Sequence, residues 1–200
     1  MATPTVPPLH PLLAARVSPS RFDARRAGSQ ELMRSLLEAA RWAPSAGNSQ
    51  PWAFIPALRG EPTHRRLTAH LARSARAWAG DAALLVANLC HVRVEDTEWE
   101  YSDFAMYDLG QAVSHMVVQA QALGWSARQF RAFDRDGVEA EFDVPPHWAV
   151  VSMTAFGAGE GAAGATRERR SIDDLVWPAG AFAPCPTTAG RPGHHLHASA

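Results

Sequence analysis

Residues 41 to 52 read Arg41-Trp42-Ala43-Pro44-Ser45-Ala46-Gly47-Asn48-Ser49-Gln50-Pro51-Trp52. Pro44 stops a helix, because its ring disfavours helical backbone in the residue before it and it has no amide hydrogen to continue the ladder. Small and turn-forming residues follow, and Pro51-Trp52 opens an apolar run. The stretch is therefore a helix end, a loop and a strand start. Ala46 and Gly47 let backbone approach a flat ligand, while Ser45, Asn48 and Gln50 carry donors and acceptors suited to the edge of a heteroaromatic ring. The same residue types also make ordinary turns, so the loop by itself assigns no function.

Working outward, Ser29 is a candidate N-cap, with Glu31 in the first turn and Leu32, Leu36, Leu37 and Ala40 on one helix face. Residues 52 to 58 and 82 to 92 are short apolar runs bounded by Gly, Pro or charge, the pattern of buried strands, with an Arg-rich helix expected between them. The strongest helical period runs from Asp103 to Leu123, through Leu109, Ala112, Val113, Met116, Val117 and Ala120, with Gly124 placed as a C-cap. Ser126 to Phe130 and Trp148 to Phe156 read as two further strands, and Pro8 to Ala15 can open a short helix. The order is mixed α+β. We expect an arm over 1–12, one domain over 13–177, and a Pro-, Gly- and His-rich tail over 178–200.

The 200 residues, 46% hydrophobic with seven Trp, suffice for one core. A net charge of -1 gives no broad field favouring nucleic acid or anionic membrane. Every cation apart from histidine is arginine, which excludes lysine Schiff-base and P-loop chemistry and leaves phosphate binding to Arg, hydroxyls and backbone. Cys90 and Cys185 lack CxxC spacing and no leader pattern is visible, so a cytoplasmic protein is expected. Gly159-Glu160-Gly161-Ala162-Ala163-Gly164 matches GxGxxG, but too little chain follows for a dinucleotide fold. His115 and the terminal His194, His195 and His197 have no partner motif for hydrolytic or metal chemistry. Neither a catalytic side chain nor a metal site is expected.

Three basic or polar segments accompany the loop. Arg16-Val17-Ser18-Pro19-Ser20-Arg21-Phe22 offers guanidiniums and hydroxyls suited to a phosphate dianion. Arg167-Glu168-Arg169-Arg170 is a second basic cluster, and Gln129-Phe130-Arg131-Ala132-Phe133-Asp134 joins a strand to a turn. Residues 44–52 resemble the Pro-Ser-x-x-Asn-x-Gln-Pro-Trp signature of the nitroreductase family. The Arg16 and Arg167 segments, Gln129 to Ala132 and the helix through Asp108-Leu109-Gly110-Gln111-Ala112 are similar to further parts of that family, so that the likeness runs from Arg16 to about Val176.

The resemblance implies a nitroreductase-like, FMN-dependent fold with a central, mostly antiparallel sheet, flanking helices and a long central helix. It implies a homodimer with FMN at the interface and NAD(P)H as electron donor. Arg16, Ser18, Ser20, Arg21, Arg167 and Arg169 would hold the phosphate and ribityl chain. Pro44, Ser45, Ala46, Asn48 and Gln50 would border a flavin bound mainly by the partner, and Gln129, Phe130, Arg131 and Ala132 would lie beside its ring. The expected reaction passes hydride to a nitroaromatic, a quinone or a similar acceptor. The alternatives are a flavin-dependent biosynthetic dehydrogenase and a non-catalytic FMN-binding module. The chain departs from the pattern in three places: Ser20 stands where the second Arg is usual, Arg131-Ala132 where Gly is common, and Ser74-Ala75 where relatives often have Asn.

Overall fold

β3 (Leu84–His91) is the centre of the molecule: seven of its eight residues are buried, in a run with apolar side chains on both faces. The computed structural model describes residues 8–160 and 168–177. In chain order the other elements are α1 (Pro11–Ala15), β1 (Arg21–Phe22), α2 (Gln30–Arg41), β2 (Trp52–Leu58), α3 (Pro62–Ala69), α4 (Arg73–Ala79), α5 (Ala105–Ala122), β4 (Ser126–Phe130), α6 (Arg135–Glu141), β5 (Trp148–Gly157) and β6 (Gly159–Glu160).

The main sheet has the order β2-β3-β5-β4, and every neighbouring pair is antiparallel. Pro56 sits in β2, an edge strand, where a residue without an amide hydrogen does least harm to the ladder. Alternation along β3 sends Leu84, Val86 and Cys90 into a cluster with Leu36 and Ala40 of α2 and Leu109, Val113 and Met116 of α5. Leu85, Ala87 and Leu89 point the other way, toward Leu67 of α3, Ala75 and Trp78 of α4 and Val138 of α6. The sheet is thus covered on both faces, and this is the α+β arrangement of an antiparallel sheet with flanking helices and a long central helix that the sequence implied.

Helix ends follow their local chemistry. Ser29 Oγ accepts from the Leu32 amide at 3.2 Å at the start of α2. Beyond α5, Gly124 takes φ +71°, a left-handed turn that side chains disfavour. The Arg-rich region is two helices where one was expected. The chain breaks between α3 and α4, and Arg76 Nη2 donates to the carbonyls of Ala69 (3.1 Å) and Leu71 (3.2 Å) across the break. α6 and the β1–β6 pair were also not anticipated. β1 and β6 form a two-stranded antiparallel ladder of their own, with Arg21 opposite Glu160 and Phe22 opposite Gly159.

Residues 168–177 contain a short 3-10 turn at Asp173–Leu175. The Ser171 amide donates to Asp174 Oδ2 at 3.2 Å and the Asp174 amide to Ser171 Oγ at 3.1 Å. Among the described residues no helix is long and apolar enough to cross a membrane.

Two imidazoles sit in poor solvents for charge. His64 is 5% exposed and its Nε2 has no hydrogen-bond partner among the described residues. His91 is stacked between Tyr101 (centroids 4.0 Å) and Trp148 (4.8 Å). Burial, aided by Arg59 at His64 and by His147 at His91, holds both below the ordinary histidine value. The unfolded chain therefore binds protons that the folded chain refuses. The corresponding stability is present above about pH 6.5 and is lost as pH falls through the depressed folded values. Chemical denaturation should give a lower midpoint at pH 5.5 than at pH 7.5, and His64→Leu should narrow that difference.

Candidate functional site

The N-terminal segment is held on the sheet by contacts that leave Arg16 and Ser18 over a hollow. Pro19 is buried and its carbonyl accepts from Arg128 Nη1 at 3.1 Å. The Arg128 guanidinium lies 3.9 Å above the Trp78 ring, a cation–π contact that fixes its plane. The Ser20 amide (3.1 Å) and hydroxyl (3.2 Å) both donate to the Glu160 carbonyl. Between these anchors and α5 lies a cavity of about 210 Å³ lined by Arg16, Ser18, Ser114, Val117, Ala127 and Gln129. Arg16 Nη1 donates to Ser18 Oγ at 3.4 Å.

Three of the residues singled out from sequence, Arg16, Ser18 and Gln129, thus meet at one cavity although they come from distant segments. Gln129 shares the α5 face of β4 with Ala127, while Arg128 and Phe130 turn to the opposite face. There Phe130 meets Trp78 edge-on, with centroids 4.9 Å apart. Exposed Arg21 belongs to the β1–β6 ladder and Ser20 bonds to the Glu160 carbonyl at its end, and neither lines the cavity. Arg131 is exposed, and the carbonyl of Ala132 accepts from Ala72 at 3.0 Å. Near Trp78, Ser74 is exposed and Ala75 fully buried, so neither supplies the amide that Asn would. Arg169 is exposed and donates to the Glu168 carbonyl at 2.8 Å. Arg167 lies outside the described residues, as does most of the glycine-rich run after Glu160.

The loop between α2 and β2 is rigid by construction. Gly47 (φ +58°), Asn48 (φ +56°) and Gln50 (φ +48°) all occupy the left-handed region, which for Asn and Gln costs of order 1 kcal/mol each. Four bonds sustain it. The Asn48 amide donates to the Ser45 carbonyl (2.9 Å), Ser49 to Ala46 (3.1 Å), Gln50 to Ser45 Oγ (3.0 Å) and Trp52 to Gln50 (2.8 Å). Gln50 Nε2 reaches Asn48 Oδ1 at 3.3 Å. Pro44, Ala46, Gly47, Asn48 and Gln50 are exposed and Ser45 half-buried, so the loop displays its polar edge outward. It rests on Asp108 of α5, whose Oδ2 accepts from the Ala46 amide at 2.9 Å.

Sequence reasoning missed Arg128, Ser114 and the part played by Asp108. Arg128 and Asp108 act through partners far away in sequence: 109 positions separate Arg128 from Pro19, and 62 separate Asp108 from Ala46. A visible signal existed only for Asp108, as an acid inside an otherwise apolar helical stripe.

Gly159 sets how close the arm comes to β4. A Cβ there would stand 2.6 Å from Ser126 Oγ and 2.8 Å from Pro19 Cβ. Gly159→Ala should lower stability by about 1–3 kcal/mol, the usual cost of overpacking, and thermal denaturation checks it. A smaller loss of the same sign would show that Ser126 rotates away.

The nitroreductase family model matches residues 13–86. An oxidoreductase containing FMN is similar in structure at a TM-score of 0.71 and 28% identity, covering 77% of this chain and 78% of that one. A nitroreductase-like protein from Streptococcus mutans has a TM-score of 0.70 at 19% identity, over 83% of this chain and 95% of its own. A protein from Exiguobacterium sibiricum, solved in complex with FMN, has a TM-score of 0.73 at 18% identity, over 88% and 99%. No curated protein matches the sequence.

Proposed function

We propose that this chain, which matches the nitroreductase family model over residues 13–86, is an FMN-dependent oxidoreductase of that kind that passes hydride from NAD(P)H to a nitroaromatic, a quinone or a similar oxidised acceptor, working as a homodimer. The observation that carries the reading is the cavity where Arg16, Ser18 and Gln129 converge. A guanidinium beside a hydroxyl is the donor set that a phosphate dianion requires in a chain with no lysine. The known structures that resemble this one include two that hold FMN, which supports the same cofactor here.

Bound FMN supplies the two-electron chemistry, accepting hydride from a nicotinamide and returning it to the acceptor. The protein's own work is binding and orientation. Arg16 and Ser18 hold the phosphate. Gln129 presents its amide from the same wall, while Phe130 packs on the opposite face of the strand against Trp78. No side chain is required to move a proton from carbon.

The loop of Pro44 to Gln50 serves the flavin of a second copy. Its polar edge faces outward, and none of its residues lines the cavity of its own chain. Around it lies an exposed apolar surface: Trp42 (72% exposed) at the end of α2 and Phe104, Met106 and Tyr107 at the start of α5. Apolar surface of that extent beside a polar loop fits an interface better than permanent contact with water.

The purified protein should be yellow, hold one FMN per chain and elute as a dimer. It should bleach anaerobically on titration with NADH or NADPH and regain its colour with a quinone. A colourless monomer that ignores added FMN rejects the proposal, and bound flavin that no nicotinamide reduces replaces the reductase with a dehydrogenase or a binding module. Arg16→Ala and Asn48→Ala should each weaken FMN retention about tenfold or more. Mixed dimers of those two variants contain one intact site. Mixing them should therefore restore FMN binding that neither possesses alone, and failure to do so rules out sharing between subunits.

A further inference from the structure

We infer that Asp108 is a positioning residue whose buried carboxylate locks the Pro44 to Gln50 loop in its flavin-reading shape, an inference that rests on the FMN reading above. Asp108 is 2% exposed in the first turn of α5. Its Oδ2 accepts from the Ala46 amide at 2.9 Å and its Oδ1 from Gln111 Nε2 at 3.4 Å. Among the described residues, no arginine or histidine stands within ion-pair distance of it. A carboxylate buried without a cation is expensive, and the positive end of the α5 dipole offsets only part of that cost. A leucine at this place in the apolar stripe would pack without the penalty. What the acid does, and a leucine cannot, is bind an amide of the loop.

The amide it binds is the first of the 3-10 turn, immediately before the left-handed pair Gly47 and Asn48, with Gln50 two residues further on. Loop conformations of this kind persist only where their surroundings over-determine them. The bonds inside the loop set its internal shape, and Asp108 ties that shape to the helix. Burial first and the nearby Asp108 carboxylate second raise the Cys90 thiol to about 11. Without the tie, Ala46 turns to solvent, the left-handed residues relax, and Asn48 and Gln50 no longer share one edge.

Three variants separate the carboxylate from the fold. Asp108→Ala removes the acceptor, and Asp108→Asn keeps an amide oxygen where Oδ2 stands. Ala46→Pro deletes only the donor. Ser45 is already extended (φ -146°, ψ 154°), as a residue before proline must be, and the first helical position tolerates the ring. Each full-length protein is titrated with FMN, and amide hydrogen exchange across residues 44–52 is followed in the FMN-free protein.

Asp108→Ala and Ala46→Pro should weaken FMN binding about tenfold or more and speed exchange in the loop while leaving β3 protected. Asp108→Asn should stay within about threefold of wild type, the rescue that a charge-independent hydrogen bond predicts. FMN affinity within twofold of wild type in both Asp108→Ala and Ala46→Pro overturns the inference, as does unchanged loop exchange. Should Asp108→Ala not fold, Ala46→Pro decides the matter with the carboxylate in place. A wild-type protein that binds no FMN defeats the functional reading, and the exchange comparison then still decides whether Asp108 holds the loop.

Discussion

The packing of α5 across one face of the sheet fixes both parts of the proposed site, the loop and the cavity. Its buried stripe, Leu109, Ala112, Val113, Met116 and Ala120, docks against the face of β3 that carries Leu84 and Val86. That burial is the hydrophobic term on which the helix depends. Once the stripe is seated, the polar residues of α5 have no freedom of placement. Asp108 meets the loop at the helix start, and Ser114 and Val117 form a wall of the cavity farther along. Six residues separate Asp108 from Ser114, a rise of about 9 Å. α5 therefore spaces the loop and the cavity as a rigid ruler, and any change that shifts it in register moves both.

The core on that side is not purely apolar. Asn88, fully buried in β3, donates from Nδ2 to Ser152 Oγ (3.0 Å) and Thr154 Oγ1 (2.9 Å) on β5, and its Oδ1 has no partner. The register shifts between Asn88 and Leu89, so the polar cluster lies where the ladder is least regular. A bulge generally increases local twist, and this one lies two or three residues from the strand ends at His91 and Trp148. That is also the end where β2 begins, with Trp52 opposite Cys90, immediately after the loop. Cross-strand hydrogen bonds inside the sheet thus help to set where the loop leaves it.

Much of this was legible in the sequence because local pattern carried it. β2 and β4 match their apolar runs to the residue, and α2 and α5 follow from period and caps, with Ser29 and Gly124 as their signals. Where the signal is non-local it failed. β1 and β6 are two residues each, and their partners are about 140 positions apart, so no window of sequence contains the pair. α6 is a seven-residue helix with one buried side chain, Val138, too short for a period to emerge. The cap Asp134 was its one local sign, its carboxylate accepting from the Gly137 amide at 3.1 Å. At the site, the loop and Arg16 were visible as residue types. Arg128 was not, since its value depends on Trp78 and Pro19 meeting around it.

The register at Ser20 and Arg21 illustrates why motif matching alone leaves a site incomplete. By spacing, either residue is a candidate for the phosphate, and composition cannot choose. The β1–β6 ladder constrains both by geometry. It engages the Ser20 amide and hydroxyl with the Glu160 carbonyl and commits Arg21 to an exposed strand position. A strand residue cannot be turned to the other face without slipping the register, and a slip would expose Phe22, which packs beside Trp78 at 6.3 Å. Arg16 and Ser18 precede the ladder, and they line the cavity together with Gln129. The displaced arginine of the motif is thus compatible with an intact cavity, because the fold assigns the cavity to the residues before the strand.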